Sequence, residues 1–259
     1  MNLISVDKET CRRDGICINA CPIGSIKADA DGYPVAASED CIQCGHCVAI
    51  CPHGALDNAL LPMERFLPAS GQRVGFAELA GLMKQRRSVR QFKAQAVPRE
   101  TLAELLDLAR IAPTAKNTQQ ISYIVLETPE RTKALAKDIA EWMLPMPGME
   151  RYAGLAARGD DFVMRGAPHV VIALGDADND WGLTDAAIAL SYLELAAAAH
   201  GLGVCWGGIV QRALANNPAL AAGIGVPEGR KVFGALMLGV PKVRYALIPP
   251  RNELKASWL

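Results

Sequence analysis

Seven of the chain's eight cysteines fall between Cys11 and Cys51, and they repeat. Glu9, Cys11, Gly15, Cys17, Cys21, Pro22 and Gly24 recur thirty positions on as Glu39, Cys41, Gly45, Cys47, Cys51, Pro52 and Gly54. Seven thiols cannot all pair. The first ten residues, MNLISVDKET, lack the basic start and apolar stretch of a secretory signal. A disulfide framework is therefore disfavoured, and the sequence predicts a cytoplasmic protein whose thiols bind metal.

The second copy reads C-x2-C-x2-C-x3-C-P at Cys41, Cys44, Cys47, Cys51 and Pro52. Three closely spaced thiolates suit three irons of a cube, with the fourth cysteine serving another cluster. The alternative is a zinc site, which needs four ligands and usually takes paired C-x2-C units. Residues 3–57 resemble a two-cluster bacterial ferredoxin. The resemblance implies one cluster on Cys41, Cys44, Cys47 and Cys21, and another on Cys11, Cys17 and Cys51. The first copy departs from the pattern, with Asp14 where the second has Cys44. A carboxylate is a hard ligand, less suited to iron in a sulfide cube than a thiolate. Either Asp14 or solvent completes a [4Fe–4S] cluster convertible to [3Fe–4S], or Asp14 faces solvent and the cluster always holds three irons.

Lys and Arg number 27 and Asp and Glu 27 in 259 residues. That balance argues against partners such as nucleic acid or an anionic membrane surface. Hydrophobic residues at 51% allow a sizeable core, and no uninterrupted apolar run reaches the roughly 18 residues of a membrane span. Residues 58–75 read as a connector. Beyond it the pattern predicts helices over 76–88, 98–113, 129–143, 184–200 and 210–215. Strands are predicted over 121–126, 168–175, around Val204 and over 231–239. Leu79, Leu82 and Met83 fall at helical spacing in the first of these helices. Asp185 and Glu194 argue against a membrane reading of 184–200. Gly223-Ile224-Gly225 lies in a turn before Pro227 and lacks the strand–helix context of a dinucleotide fingerprint. His46, His53, His169 and His200 are scattered, with no visible triad.

Arg86-Arg87-Ser88-Val89-Arg90 is either a solvated, salt-bridged cluster or a clamp for phosphate and a ring. RRSVRQF, then APTAKNTQQ, GLGVCWGG and a carboxy-terminal PPR together resemble the nitroreductase family of FMN enzymes over residues 79–259. The whole chain is similar to ferredoxin–nitroreductase fusions. The resemblance implies that Arg86, Ser88 and Arg90 bind FMN, with Arg87 inside the motif. Arg90 would lie near the flavin N1–C2=O edge, favouring the anionic reduced form. Pro113, Thr114, Ala115 and Asn117 would reach the flavin from the partner subunit. Gln119-Gln120-Ile121 replaces the family's common Gln-Pro-Trp, which changes the substrate-pocket wall. Backbone N–H groups of Cys205, Trp206, Gly207 and Gly208 would approach N5 and O4, and Arg251 the phosphate. The plainer readings are a buried thiol for Cys205 and packing for Trp206.

The implied fold class is α+β. A ferredoxin-like iron–sulfur domain (1–57) precedes the connector and an FMN domain (76–259) with a mainly antiparallel sheet wrapped by helices. A homodimer with two flavins is implied, the Ala-rich helix 184–200 suiting its interface. The expected function is an FMN-dependent oxidoreductase joining iron–sulfur clusters, a low-potential electron carrier or NAD(P)H to a small-molecule acceptor such as a nitroaromatic or quinone. An electron-transfer or redox-sensing protein without a dedicated substrate is the alternative. Flavin breakdown or reductive dehalogenation has no positive sign in the sequence.

Overall fold

The structure is a computed structural model describing residues 2–69, 71 and 73–259. It forms two compact units, Met1–Arg73 with Lys116–Thr118, and Val74–Ala115 with Gln119–Leu259.

In the first unit the sequence repeat is also a backbone repeat. β1 (Ile4–Val6), α1 (Ile16–Asn19) and β2 (Ile26–Ala28) recur as β3 (Pro34–Ala36), α2 (His46–Ala49) and β4 (Leu56–Asn58). The left-handed residues recur too: Arg13 with Gln43, Gly15 with Gly45, Gly24 with Gly54. β1 pairs with β4 and β2 with β3, both antiparallel. Each ladder thus takes one strand from each copy, so neither copy folds as a closed unit. Leu3, Ile4, Ile26, Val48 and Leu56 make its core with Cys17 and Cys47. The stretch read as a connector belongs to this unit as far as Arg73. Its Leu61 and Phe66 close on Gly45, where a Cβ would stand 2.9 Å from Leu61 Cδ2. Ser70 and Gln72 lie outside the described residues.

The second unit runs α3 (Phe76–Gln85), α4 (Arg99–Arg110), β5 (Ser122–Leu126), α5 (Pro129–Met143), α6 (Glu150–Ala157), β6 (His169–Asp176), α7 (Gly182–Ala199), β7 (Gly203–Trp206), α8 (Gly208–Asn216), α9 (Pro218–Gly223) and β8 (Arg230–Gly239). Its sheet has the order β5-β6-β8-β7, every pair antiparallel. Alternate residues of β6 face opposite sides, as the pleat requires. Val170, Ile172 and Leu174 pack with Leu135 and Ile139 of α5 and Val210 of α8. Val171 and Ala173 pack with Leu102 and Leu105 of α4 and Leu190 and Leu193 of α7. Helices on both faces explain why β6 and β8 read as continuous apolar runs.

Two expectations change. α3 stops at Gln85 rather than Ser88, and it buries none of its residues, Leu79 and Met83 being exposed. α6 and α9 were missed. Both are under three turns, and α9 is announced only by its Asn217 cap and Pro218. α7 packs Ala186, Ala189, Leu190, Leu193 and Ala197 on α4 and β8. Among the described helices it alone is long and apolar enough to cross a membrane by length and composition. Its buried face nonetheless carries Asp185.

Two polar ties fix the unit. His169 is fully buried, and its Nε2 accepts the Val97 N–H at 2.8 Å. Burial pushes its pKa down, keeping the ring neutral. Arg230 binds Asp176 at 2.6 Å, the Gln120 carbonyl at 2.7 Å and Ser122 Oγ at 2.9 Å, joining β5, β6 and β8 at one end.

Candidate functional site

Arg86 caps the C-terminus of α3, and the chain leaves extended. Val89 N–H donates to the Val204 carbonyl, Lys93 N–H to Val240 and Lys242 N–H to Gln91, each at 2.9 Å. Ser88 bridges Val204 in parallel and Phe92 bridges Pro241 antiparallel. Residues 88–93 are thus a strap laid between β7 and the chain leaving β8. Gly203 makes room for it, since a Cβ there would stand 2.7 Å from Val89 Cγ2. The strap brings Ser88 and Arg90 beside Cys205-Trp206-Gly207-Gly208.

Cys205 is buried in the core, as the plainer reading held. Burial pushes its thiol pKa up, while the charges of Arg90 and Arg165 pull it down. Arg90 therefore stands within electrostatic reach of β7. Arg165, left-handed and exposed, escaped the sequence reading. Trp206 is partly exposed and locked. Its Nε1 donates to Gln211 Oε1 at 2.9 Å, and Gln211 Nε2 donates to the Phe233 carbonyl at 2.8 Å. The Gly207 N–H is spent on Ala235 O at 2.8 Å. α8 starts at Gly208 without a side-chain cap, so its first-turn N–H groups are open to an acceptor.

The arginines divide. Arg86 pairs with Glu194 at 2.7 Å, both mostly buried. Arg87 folds back on the carbonyls of Arg86 and Lys84, both at 2.6 Å. Among the described residues Arg90 hydrogen-bonds the Ser88 carbonyl alone, at 3.3 Å. Arg251 is exposed on a segment without helix or strand and makes no ion pair among the described residues.

In the 113–117 loop, Pro113 is exposed and Thr114 Oγ1 accepts the Gln119 N–H at 3.0 Å. Ala115 N–H donates to Asp185 Oδ1 at 2.9 Å, and Asp185 Oδ2 is buried without a partner among the described residues. Lys116, Asn117 and Gln119 are left-handed, at about 1 kcal/mol each, a strain that clusters at ligand clamps. Asn117 belongs to the first unit and donates to the Ile42 and Gln43 carbonyls, both at 2.9 Å. No hydrogen bond among the described residues joins 113–117 to the strap within one chain. Asp185 and Glu194 were missed as site supports. The available signal was an acid inside an Ala/Leu helix, which must be satisfied where it is buried.

In the first unit Cys17 and Cys47 are buried and the other five cysteines of the repeat half-buried. Main-chain N–H groups converge on sulfur: Ser25 on Cys21 at 3.2 Å, Ala55 on Cys51 at 3.3 Å and Gln43 on Cys41 at 3.4 Å. Asn58 Nδ2 adds a contact to Cys41 at 3.7 Å. Burial alone would push the Cys21 pKa up, but N–H groups of Ile23, Ser25 and Gly24 outweigh it and pull it down. Burial pushes Cys17 and Cys47 up. Amides aimed at sulfur beside an apolar wall fit thiolates bound to a negatively charged cluster. Asp14 sits on the rim. Its Oδ1 accepts the Ile16 N–H at 3.1 Å, and Oδ2 lies 3.9 Å from His53 Nε2, a neighbour the sequence did not single out. Among the described residues no three His, Cys, Asp or Glu side chains converge on a site for a single metal ion.

The 4Fe-4S dicluster domain matches residues 3–52, and the nitroreductase family model matches residues 83–240, more than half of the chain. The chain belongs to the nitroreductase family. A Rhodospirillum rubrum relative named 5,6-dimethylbenzimidazole synthase is 27% identical over 187 residues, 65% of this chain and 84% of that protein. An Archaeoglobus fulgidus relative named as an NADH dehydrogenase/NAD(P)H nitroreductase is 27% identical over 166 residues, 64% and 86% of the two chains. A Desulfitobacterium hafniense nitroreductase solved with bound FMN superposes at TM-score 0.61 and 22% identity, over 70% of this chain and 97% of that one. That likeness concerns the fold. This nitroreductase-family chain thus joins a family of oxidoreductases to an amino-terminal iron–sulfur module.

Proposed function

We propose that the chain is a cytoplasmic, homodimeric oxidoreductase dependent on FMN and two iron–sulfur clusters. It passes electrons from the clusters, or from NAD(P)H, through FMN to an electron-poor small molecule of the nitroaromatic or quinone kind. The strap carries this reading. It sets Ser88 and Arg90, which has no ion-pair partner among the described residues, against β7 and the uncapped start of α8, in a chain that also holds the thiolate repeat.

Each residue has a part. Ser88 and Arg251 bind the FMN phosphate with Arg86, whose charge is shared with Glu194. Arg90 holds negative charge at the ring edge. First-turn amides of α8 take a carbonyl oxygen of the ring. Gly207 shapes the turn rather than donating. Pro113, Thr114, Ala115 and Asn117 close the site of the partner subunit. Cys41, Cys44 and Cys47 with Cys21 hold one cluster, and Cys11, Cys17 and Cys51 with Asp14 the other. Ladders built from one strand of each copy support that exchange of the fourth cysteine. Bound FMN supplies one- and two-electron chemistry in one ring, which lets clusters and a hydride donor share a site.

Steady-state turnover of the cofactor-replete protein with a nitroaromatic, a quinone and a simple inorganic oxidant tests the function. The enzyme reading predicts saturable, fast turnover with one organic acceptor class at low concentration. Equal, slow reactivity with all three would contradict it and favour a carrier or sensor.

A further inference from the structure

The two copies of the repeat differ at a second position. Asn58 ends β4, and its counterpart thirty positions back, at the end of β2, is Ala28. Ala28 is exposed, whereas Asn58 is only 3% exposed. A buried side-chain amide needs partners at both of its ends. Asn58 Oδ1 accepts the Leu60 N–H at 2.9 Å. That bond settles which way the amide points. Nδ2 therefore faces the thiols, 3.7 Å from Cys41 Sγ, a length that the radius of sulfur permits. The main chain holds the residue as well. Its N–H donates to Asp57 Oδ1 at 2.8 Å, and its carbonyl accepts the Leu61 N–H at 3.0 Å.

Cys21, Cys41, Cys44 and Cys47 line one small hollow, and Asn58 lines it with them. These are the four thiolates of one proposed cluster. Cys41 already takes the Gln43 N–H at 3.4 Å, so Asn58 gives it a second donor. Burial pushes the Cys47 thiol up, and the Asn58 side chain is among the groups pulling it down. The amide thus bears on two thiolates of the same set. Main-chain donors obey the repeat, with Ser25 on Cys21 matched by Ala55 on Cys51. The side-chain donor breaks it, because alanine at position 28 has nothing to offer Cys11.

We propose that Asn58 is a tuning residue, whose Nδ2 donates to the thiolates of the Cys21, Cys41, Cys44 and Cys47 cluster and makes that cluster easier to reduce; the inference rests on the proposed ligand set. The step is the gain of one electron, with no bond made or broken. It adds one negative charge, and an N–H aimed at sulfur stabilises the reduced form more than the oxidised one. The first copy has no such donor. The effect is therefore confined to one cluster, and it biases where an entering electron rests.

Reductive titration of the cofactor-replete full chain with dithionite and mediators, followed by electron paramagnetic resonance, reads the midpoint of each cluster. Asn58→Ala should make reduction of one cluster about 3- to 10-fold less favourable, roughly 30–60 mV lower for a one-electron couple. The other midpoint should stay in place. Asn58→Asp keeps an acceptor for the Leu60 N–H but loses the donor, so its midpoint should fall at least as far. A residue that only braced the turn would give the reverse, with Asn58→Asp close to the parent. The cluster that moves should not be the one that Asp14→Cys alters. Unmoved midpoints in both variants, equal shifts of both clusters, Asn58→Asp matching the parent, or loss of the cluster from both variants would overturn the proposal while the ligand set stands. A parent lacking two clusters by iron and sulfide analysis would instead remove the ligand set, and the proposal with it.

Discussion

Replacing Arg90 by Gln lowers the midpoint potential of the bound flavin by about 30–60 mV, because reduced FMN loses about 10- to 100-fold more affinity than oxidised FMN. The strap fixes Arg90 near β7, where its charge already acts on Cys205. It has no carboxylate partner among the described residues, so the charge is available to the ring. Reduced flavin carries the extra negative charge and loses more than oxidised flavin when the cation goes. A hydrogen bond to a charged group contributes about 1.5–3 kcal/mol, and for a two-electron couple roughly 30 mV corresponds to 1.4 kcal/mol. Spectroelectrochemistry and FMN titration of the apoprotein measure the two effects. An unchanged potential would remove Arg90 from the ring edge. Arg86→Gln should chiefly weaken FMN binding and disturb Glu194, leaving the potential nearer the parent's.

The second large effect is at Asp14. Asp14→Cys supplies the thiolate that the first copy lacks. The account predicts a rise from about seven to about eight irons per chain as isolated in air, and loss of the three-iron electron paramagnetic resonance signal. The physical reason lies in the donor. Asp14 Oδ1 is engaged by the Ile16 amide and Oδ2 faces His53, whereas cysteine offers a soft donor at the matched position of the repeat. A parent protein already showing two identical all-cysteine clusters would contradict this part. A variant that retains the three-iron signal would do the same.

Much of this molecule was legible because its information is local. The cysteine spacing, Gly15 and Gly45 at left-handed positions, and Pro22 and Pro52 after the fourth cysteines act within one turn of backbone. Helix α5 was readable to its ends because Thr128 and Pro129 open it. The strap was not readable. RRSVRQF has no alternating pattern, and its partners lie at Val204 and at residues 240–241, so nothing in its neighbourhood announces an extended conformation. Gly203 opens β7, and its missing Cβ is what admits Val89. The charges of α7 were counted only against a membrane. One holds the Ala115 amide and the other a flavin-motif arginine. They lie nine residues apart, so at 100° per residue they leave opposite sides of the helix, and sequence alone does not say what each meets. Leu79, Leu82 and Met83 of α3 stand at helical spacing, but periodicity reports a face and not its cover.

The central claim is that the flavin and the clusters of this chain exchange electrons. The most direct measurement is anaerobic mixing of the cofactor-replete protein with a limiting amount of a reduced low-potential one-electron carrier, following flavin and cluster absorbance together. The same mixing is repeated on Cys47→Ser, which removes a buried cluster thiolate. The account predicts cluster reduction followed by flavin bleaching in the parent, and loss of the fast flavin phase in the variant. A flavin that bleaches equally fast in both proteins, or stays oxidised while the clusters are reduced, would contradict it.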